Sequence, residues 1–275
     1  MIWLNGIVRP AEGAFSADDR GLLLGEAVFE TILLKHGIAQ FWPAHMARLS
    51  AACRAFGLPQ AYDDRQLKQA VLALLDANRA APRQIIRITV TGGAGGRGLV
   101  PPQETPPNWL VQLSPAAEPP QALRLHLSTI EKTPNSPTNG HKTTGYLDNI
   151  MARRQALEAG ADEAIMRNPQ GRLCGTAAGT LFVQSGKHLI TPPVSEGALP
   201  GIVRGALLQQ KRCAGLELSE GLVDIDLLHR ADALFVSNSV MEVVPACMAE
   251  SGAVEAGQKK QGHALCEALP QFSDF

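Results

Sequence analysis

The alternation of apolar and polar positions at the start of the chain predicts strands joined by tight turns. The segment "IWLNGIV" (2–8) carries Asn-Gly between two apolar runs, which is a strong signal for a two-residue β-hairpin. The segment "AVFETILLKHGIAQF" (27–41) predicts a strand, a turn at Gly37 and a second strand. Both segments indicate antiparallel strand pairs near the N-terminus.

In the next segments, apolar residues recur at the spacing that is typical of helices. Residues 43–57, "PAHMARLSAACRAFG", predict a helix, because Pro43 lies near its first turn and Gly57 lies past its end. A second helix is predicted at 64–79, and the run "QIIRITV" (84–90) predicts a further strand. Together with the hairpins, this order favours an α+β domain at the N-terminus.

Two proline-rich segments lie in the middle of the chain. The segments 100–108 and 114–121 are rich in proline, which disfavours helix interiors and central strands. We therefore predict a domain boundary near 115–121. The two predicted domains are residues 1–118, an α+β unit, and residues 122–275, a strand-richer unit.

The second half opens with a predicted strand, "LRLHLSTI" (123–130), and a helix that follows Gly145. Apolar residues recur along this helix at one-face spacing, which predicts a core-facing surface in preference to a membrane-binding one. These residues are Tyr146, Leu147, Ile150, Met151 and Leu157. Another helix is predicted at 201–213, and the tail 250–275 at most forms one more.

Composition excludes several classes of partner. The chain has 275 residues, 45% of them hydrophobic and 19% charged, with a formal net charge of −1. No Lys/Arg block is present, so neither nucleic acid nor an acidic membrane is expected as a partner. The N-terminus lacks the pattern of a signal peptide, and no apolar run reaches the length of a membrane span. The histidines show no metal-ligand spacing, so no metal is expected.

The five cysteines are widely spaced and never form CxxC, which argues against structural zinc and against a disulfide framework. Reduced thiols are typical of a cytoplasmic protein, which is the expected location.

Candidate chemistry centres on "SPTNGHKTTGYLDN" (136–149). Lys142 precedes the predicted helix, and Tyr146 would share its side of that helix if the helix began early. The positive end of a helix dipole disfavours a charged amine, and an uncharged amine is a nucleophile. A solvated lysine near a helix start is the simpler interpretation of the spacing alone.

Five segments, in register along nearly the whole chain, resemble the class IV aminotransferases, the fold-type IV pyridoxal-phosphate enzymes. This family includes branched-chain and D-amino-acid aminotransferases and aminodeoxychorismate lyase. The segments are "DRGLLLGEAVFETI" (19–32), "HMARL" (45–49), "HKTTGYLDN" (141–149), "GALPGIVR" (197–204) and "VSNSVMEVVP" (236–245).

The resemblance implies a mixed α/β (α+β) fold. It would have a small N-terminal α/β domain and a larger, strand-rich C-terminal pseudobarrel, with pyridoxal 5'-phosphate at the domain junction. It also implies a homodimer whose partner subunit closes part of each pocket.

The resemblance also assigns roles. Lys142 would form the Schiff base with pyridoxal 5'-phosphate and later move the α-proton. Tyr146 would donate a hydrogen bond to the phenolic oxygen of the cofactor, and Arg48 would bind its phosphate. The backbone N–H groups of Ile202 and Val203, at a helix start, would also bind the phosphate.

A serine, Ser239, would add a hydroxyl to the same phosphate. Without the family, Arg48 would be interpreted as an exposed helix cation and Ser239 as an ordinary strand serine.

Two positions depart from the family pattern. The glutamate that pairs with the pyridine nitrogen is replaced by Gly175, or by Cys174 if the alignment shifts by one residue. A carboxylate there keeps the ring protonated and strengthens it as an electron sink; the hydroxyl of Thr176 is one candidate replacement. Val203 also stands where the family often has threonine.

Three features favour aminodeoxychorismate lyase within the family. The stretch "GGAGGRGL" (92–99) offers Arg97 as a fork for a substrate carboxylate, although a solvated loop arginine is an equal alternative. "FETI", with Phe29, and "SNSVMEVVP", with Asn238, resemble that group and supply the other predicted substrate contacts. An aminotransferase is the first alternative, and a non-catalytic cofactor-binding protein is the second, because the glutamate is absent.

Overall fold

The computed structural model describes residues 1–78, 81–102 and 105–270 and divides the chain into two compact units. The first unit contains Met1–Ala117 together with His141–Gly145, and the second contains Glu118–Gly140 and Tyr146–Pro270. The sequence analysis predicted one boundary and did not anticipate that the segment around Lys142 would join the first unit. Three parts of the sequence predictions lie outside the described residues: position 79 of the second helix, positions 103–104 of a proline-rich segment, and the chain end 271–275.

The first unit is a six-stranded antiparallel sheet with two long helices. The strands follow the order β2-β1-β6-β5-β3-β4. Its elements are β1 (Ile2–Leu4), β2 (Ile7–Arg9), α1 (Arg20–Leu23), β3 (Ala27–Lys35), β4 (Ile38–Ala39), α2 (Trp42–Ala55), α3 (Asp64–Ala77), β5 (Arg83–Thr91) and β6 (Asn108–Pro115).

Local signals explain these elements. Asn5 and Gly6 have φ of 50° and 94°, which a type I′ turn requires, and the predicted hairpin β1–β2 is confirmed. The predicted strand, turn and strand around Gly37 are confirmed as β3 and β4. Helix α2 begins with Pro43 in its first turn, and α3 begins with a capping box between Asp63 and Gln66.

The core of the first unit lies between the sheet and these two helices. Alternate residues of β3, such as Val28 and Ile32, pack with Leu49 of α2 and Val71 of α3, and all are buried. Period-two alternation on the strand and period-3.6 spacing on the helices bring these apolar side chains together. The same face of β3 also presents a carboxylate, Glu30, which is fully buried.

The second unit is built on a nine-stranded mixed sheet in the order β12-β13-β11-β10-β14-β15-β7-β8-β9. The pairs β11–β13, β15–β7 and β7–β8 are parallel and the other neighbours are antiparallel. Its elements are β7 (Leu123–Glu131), α4 (Leu147–Glu158), β8 (Glu163–Arg167), β9 (Leu173–Thr176), β10 (Thr180–Ser185), β11 (His188–Thr191), α5 (Ile202–Gln210), β12 (Arg212–Cys213), β13 (Leu216–Glu220), α6 (Ile225–His229), β14 (Ala233–Asn238), β15 (Glu242–Met248) and α7 (Ala256–Glu267).

The prediction for the face of α4 is wrong. The large apolar side chains expected to face the core are exposed: Leu147 is 68% exposed and Leu157 is 60% exposed, and Ile150 and Met151 are also exposed. The helix packs instead through small side chains, Ala152 and Ala156, against β7 and β8. Periodicity located the apolar face correctly but could not show what covers it.

Within the described residues, no helix combines the length and the apolar character that spanning a bilayer requires.

Candidate active site

Lys142 lies in an extended segment that adds to the edge of β3. The N–H of Phe29 donates to the carbonyl oxygen of Lys142 at 2.9 Å, and the N–H of Thr144 donates to the carbonyl oxygen of Ala27 at 3.0 Å. Helix α4 begins only at Leu147, so the early helix start considered for Lys142 is wrong. Pairing with a buried strand, not a helix start, fixes the backbone of the lysine.

The ring of Phe29 lies between two cations. Lys142 Nζ lies 4.3 Å from the ring centroid, and Arg87 Cζ lies 3.8 Å from it. Thr89 stands directly opposite Phe29 on β5, and its buried Oγ1 has no hydrogen-bond partner within the described residues. We call Lys142, Phe29, Arg87 and Thr89 the lysine cluster. Its two cations and its spare hydroxyl favour an anionic ligand beside the lysine.

A buried acid occupies the opposite face of β3. Glu30 accepts hydrogen bonds from Nε and Nη2 of Arg48, both at 2.7 Å, and its Oε2 lies 2.7 Å from His45 Nδ1. Burial acts to raise the pKa of the Glu30 carboxyl, but the hydrogen bonds from Arg48 and His45 outweigh burial and lower this pKa to about 2. Burial also lowers the pKa of His45, so its imidazole is neutral at pH 7.

This network was not anticipated from the sequence. The signal was visible, because Glu30 is a charged residue at a core-facing position of an apolar strand. The phosphate role predicted for Arg48 stays a prediction, and two of its guanidinium N–H groups bond to Glu30.

The glycine-rich stretch 92–99 is held by a buried arginine. Arg20 is 2% exposed, forms an ion pair with Glu26, and donates to the carbonyl oxygens of Gly98 and of Leu99, the latter at 3.2 Å. Arg97 is exposed on this stretch. The loop is thus anchored from inside while the predicted carboxylate-binding side chain remains accessible.

In the second unit, the N-terminus of α5 offers unprotected N–H groups. Its N-cap is Gly201, which has no side chain to cap the N–H groups at the helix start, where Ile202 and Val203 lie. A Cβ at Gly201 would lie 2.7 Å from Thr180 Oγ1, so only glycine fits without movement. The side chain of Val203 is buried and does not compensate for the threonine hydroxyl expected there.

Buried hydroxyls lie along the neighbouring strands. Thr176 Oγ1 and Ser237 Oγ are buried and have no hydrogen-bond partner within the described residues. A Cβ at Gly179 would lie 3.1 Å from Thr176 Oγ1 and 2.9 Å from the Ser237 carbonyl oxygen. We call Thr176, Gly179, Thr180, Gly201 and Ser237 the glycine–hydroxyl cluster. Spare hydroxyls, glycines and helix N–H groups together fit a phosphate.

The other residues predicted for the site in the second unit are not members of the glycine–hydroxyl cluster. Ser239 lies in the turn after β14 and is partly exposed, whereas Ser237, which the sequence analysis missed, carries the buried hydroxyl. Asn238 donates to the carbonyl oxygen of Ala178 and accepts from two N–H groups of its own turn. Tyr146 is partly exposed at the N-cap of α4. The roles predicted for Ser239, Asn238 and Tyr146 stay predictions.

The backbone at Gly175 explains why no acid stands there. Its φ is 139°, which L residues rarely adopt, and a Cβ would lie 3.2 Å from the carbonyl oxygen of Gly179. A glutamate at this position would need a different backbone path.

The chain matches the family model for amino-transferase class IV over residues 27–248, and it belongs to that family. Its members are pyridoxal-phosphate-dependent aminotransferases and lyases, so the chain is an enzyme of that class.

Individual relatives carry two different activities. The chain is 29% identical over 250 residues to a Methanocaldococcus jannaschii protein whose name provisionally assigns it as a branched-chain-amino-acid aminotransferase, covering 89% of this chain and 86% of the relative. It is 27% identical over 250 residues to aminodeoxychorismate lyase of Bacillus subtilis, covering 89% and 85%. The structure of the Escherichia coli branched-chain aminotransferase superposes with a TM-score of 0.88 at 24% identity, covering 95% and 91%. The mixed α/β fold predicted from the sequence is confirmed.

The residues present fit the family cofactor. The orphaned hydroxyls of Thr176 and Ser237 and the uncapped start of α5 suit a phosphate, and Lys142 supplies an amine. Within the same described ranges, no group of three or more His, Cys, Asp or Glu residues is arranged to hold a metal ion.

Proposed function

We propose that this enzyme is a 4-amino-4-deoxychorismate lyase, which releases pyruvate and leaves 4-aminobenzoate. The observation that carries the proposal is the lysine cluster, in which Lys142 Nζ and the Arg87 guanidinium flank the ring of Phe29 at 4.3 Å and 3.8 Å. The substrate bears a carboxylate beside its reacting ring, and Arg87 and the spare Thr89 hydroxyl can bind a carboxylate next to the lysine amine. Arg97, on its anchored loop, offers a second carboxylate contact.

Bound pyridoxal 5'-phosphate supplies the electron sink for the reaction. Lys142 would hold the cofactor covalently through its Nζ, and the same amine would serve as the base that takes the proton from the substrate carbon bearing the amino group. The C–O bond to the enolpyruvyl group breaks, and the enolpyruvate takes up a proton and becomes pyruvate. Because the remaining ring becomes aromatic, this elimination tolerates a weaker electron sink than transamination does.

The cofactor phosphate has proposed ligands on several elements. The N–H groups of Ile202 and Val203 and the hydroxyls of Thr176 and Ser237 carry the proposal, because these groups lack partners or caps. Arg48, Tyr146 and Ser239 keep the roles that the resemblance implies. We also propose that the enzyme is a homodimer.

An aminotransferase is the second candidate. It is favoured by the names of several relatives, including the branched-chain aminotransferases. The same cations would then bind the carboxylates of an amino acid donor. The absence of a carboxylate at Gly175 argues against this candidate, because transamination gains no aromatic product to offset a weaker electron sink.

The test compares both reactions in one preparation. Purified enzyme is loaded with pyridoxal phosphate and given 4-amino-4-deoxychorismate, with pyruvate and 4-aminobenzoate measured together. A parallel assay offers L- and D-amino acids with 2-oxoacids and measures amino-group exchange. Borohydride reduction followed by peptide mass mapping locates the covalent adduct.

The proposal predicts equal amounts of pyruvate and 4-aminobenzoate, an adduct on Lys142, and loss of both products in Lys142→Met. In Arg87→Leu the KM for the substrate should rise about tenfold or more, because one charged hydrogen-bonding partner is worth about 1.5–3 kcal/mol. Arg65→Leu, an exposed arginine on α3, is the matched control. Amino-group exchange without pyruvate would establish the aminotransferase, and an adduct with neither activity would indicate a non-catalytic protein.

A further inference from the structure

Lys132 directly follows β7, and Gly175, where the family has a glutamate, lies two strands away on β9. Its N–H donates to the carbonyl oxygen of Arg167, at the end of β8, at 2.9 Å. The next strand, β9, pairs with β8 so that Leu173 lies opposite Arg167 and Gly175 lies opposite Met166. Lys132 is therefore two strands from Gly175 at the same end of the sheet, about 10 Å across at 4.8 Å per strand.

Two side chains from these strands converge on one loop. A Cβ at Gly197 would lie 3.3 Å from Cys174 Sγ and 3.5 Å from Lys132 Cβ. The Cys174 thiol donates to the carbonyl oxygen of Glu196 at 2.8 Å. Lys132 thus approaches the residue that immediately precedes Gly175, within the second unit.

The Lys132 amine lacks an acceptor. Its Nζ has no hydrogen bond or ion pair within the described residues, although the side chain is only partly exposed. Glu196, which precedes Gly197 in the same loop, is bound to Arg172 at 2.9 Å and to Asn168 at 2.7 Å.

The groups around Lys132 act on its charge in opposite directions. Burial lowers the pKa of Lys132, while Cys174 and Asp148 act to raise it. Because burial raises the pKa of the Cys174 thiol to about 12, this thiol stays neutral at pH 7 and cannot form an ion pair with the amine. A polar group in such a recess is stabilised by any ligand atom that accepts its hydrogen bond.

We propose that Lys132 replaces the absent acid, and that its Nζ donates a hydrogen bond to the pyridine nitrogen of the bound cofactor. This inference rests on the proposed cofactor site, in which Gly175, or Cys174, takes the place of the glutamate that would pair with the pyridine nitrogen. A carboxylate would keep that nitrogen protonated, whereas an amine donor occupies its lone pair and holds it unprotonated. The ring is then a weaker electron sink, which matches an elimination that ends in an aromatic product.

The test measures directly whether the ring nitrogen is protonated or accepts a hydrogen bond. Enzyme loaded with pyridoxal phosphate labelled with ¹⁵N in the ring is measured by NMR, because pyridine and pyridinium nitrogens differ widely in chemical shift. The variants are Lys132→Met, which removes the donor, and Lys132→Glu, which restores an acid. Lys187→Met, at an exposed turn of the same unit, is the control. The absorption band of the bound cofactor reports binding in every sample.

We expect an unprotonated, hydrogen-bonded nitrogen in the native enzyme and in Lys187→Met. In Lys132→Met the resonance should shift towards free pyridine, and in Lys132→Glu it should shift into the pyridinium range. A pyridinium signal in the native enzyme, or a resonance that is the same with and without the Lys132 amine, would overturn the inference while leaving the cofactor site intact. If the native enzyme bound no cofactor, the proposed function would fail and this inference with it.

Discussion

At the scale of single residues, Glu30 shows how a buried charge links stability to pH. Its carboxylate is fully buried and shares hydrogen bonds with Arg48 and His45. Its pKa is lowered from 4.5 to about 2, so folding favours the ionised form. The unfolded chain therefore binds the proton more readily than the folded chain does. The stabilisation is complete above pH 4.5 and is lost as the pH falls towards 2.

Glu30→Gln should destabilise the folded enzyme by about 3 kcal/mol at pH 7, because the lowered pKa of the Glu30 carboxyl means that folding favours its ionised form by about that free energy. The difference from the native enzyme should shrink between pH 4.5 and pH 2, because the native carboxylate then becomes protonated as well. Urea unfolding at pH 7 and pH 3 measures both values. Glu12→Gln, at an exposed position, should change stability by less than about 0.5 kcal/mol at either pH. A Glu30→Gln difference that is independent of pH would contradict this account.

Individual site residues differed in how well the sequence could predict them. Lys142 was predicted as a site residue because its neighbours form a motif, and the buried charge of Glu30 could have been predicted because it interrupts an apolar strand. The spare hydroxyls of Thr89 and Ser237 could not be found, since the lack of a partner depends on side chains distant in sequence. The role proposed for Lys132 could not be predicted for the same reason, because a lysine after a strand carries no local signal.

At the scale of elements, Gly201 at the N-cap of α5 and Gly205 within α5 differ in the space available for a Cβ. A Cβ at Gly201 would collide with Thr180 Oγ1 at 2.7 Å, whereas a Cβ at Gly205 would meet nothing within 4 Å. Gly201→Ala should lower the affinity for pyridoxal phosphate about tenfold or more, because the methyl group displaces the backbone that would bind the phosphate. Gly205→Ala should keep the affinity and gain up to about 1 kcal/mol of stability from helix propensity. Equilibrium dialysis and thermal unfolding measure the two effects, and equal affinities would exclude the proposed phosphate site.

Elements with complete local signals were predictable from the sequence. The Asn5-Gly6 hairpin, the Gly37 turn and helix α2 carry their own turn, cap or breaker residues, and each prediction is confirmed. The segment at Lys142 was not predictable, because its pairing with β3 joins residues more than a hundred positions apart. Its Ser, Pro and Gly neighbours suggest only a loop before a helix.

At the scale of the whole molecule, local sequence patterns do not determine the path of the chain between its units, the order of its strands or its assembly. The chain leaves the second unit at His141, contributes five residues to the first unit and returns at Tyr146. The order of the nine strands likewise depends on parallel pairs, such as β15–β7, that link distant segments. No turn residue encodes such pairs, so the sequence predicted a strand-rich unit but not the order of its strands.

The exposed face of α4 supports the proposed homodimer. Leu147, Ile150, Met151 and Leu157 form an apolar surface on a twelve-residue helix, which is more than isolated surface residues explain. We expect a second copy to cover it in an antiparallel arrangement. A two-fold axis near Met151 would place Arg154 of one copy opposite Asp148 of the other, because both lie three residues from that centre.

Light scattering after size-exclusion chromatography should therefore show a dimer for the native enzyme and a monomer for the double variant Ile150→Asp, Met151→Asp. Leu72→Asp, which alters an equally exposed leucine on α3, should remain dimeric. Arg154→Asp should weaken the dimer by placing like charges opposite each other, and adding Asp148→Arg should restore it, because the exchange recreates the ion pair in reverse. A dimer restored by the second substitution would show that Arg154 and Asp148 pair across the two-fold axis, because a general loss of solubility would not be reversed by it. A native monomer at micromolar concentration, or a charge exchange that fails to restore the dimer, would show that another partner or none covers α4.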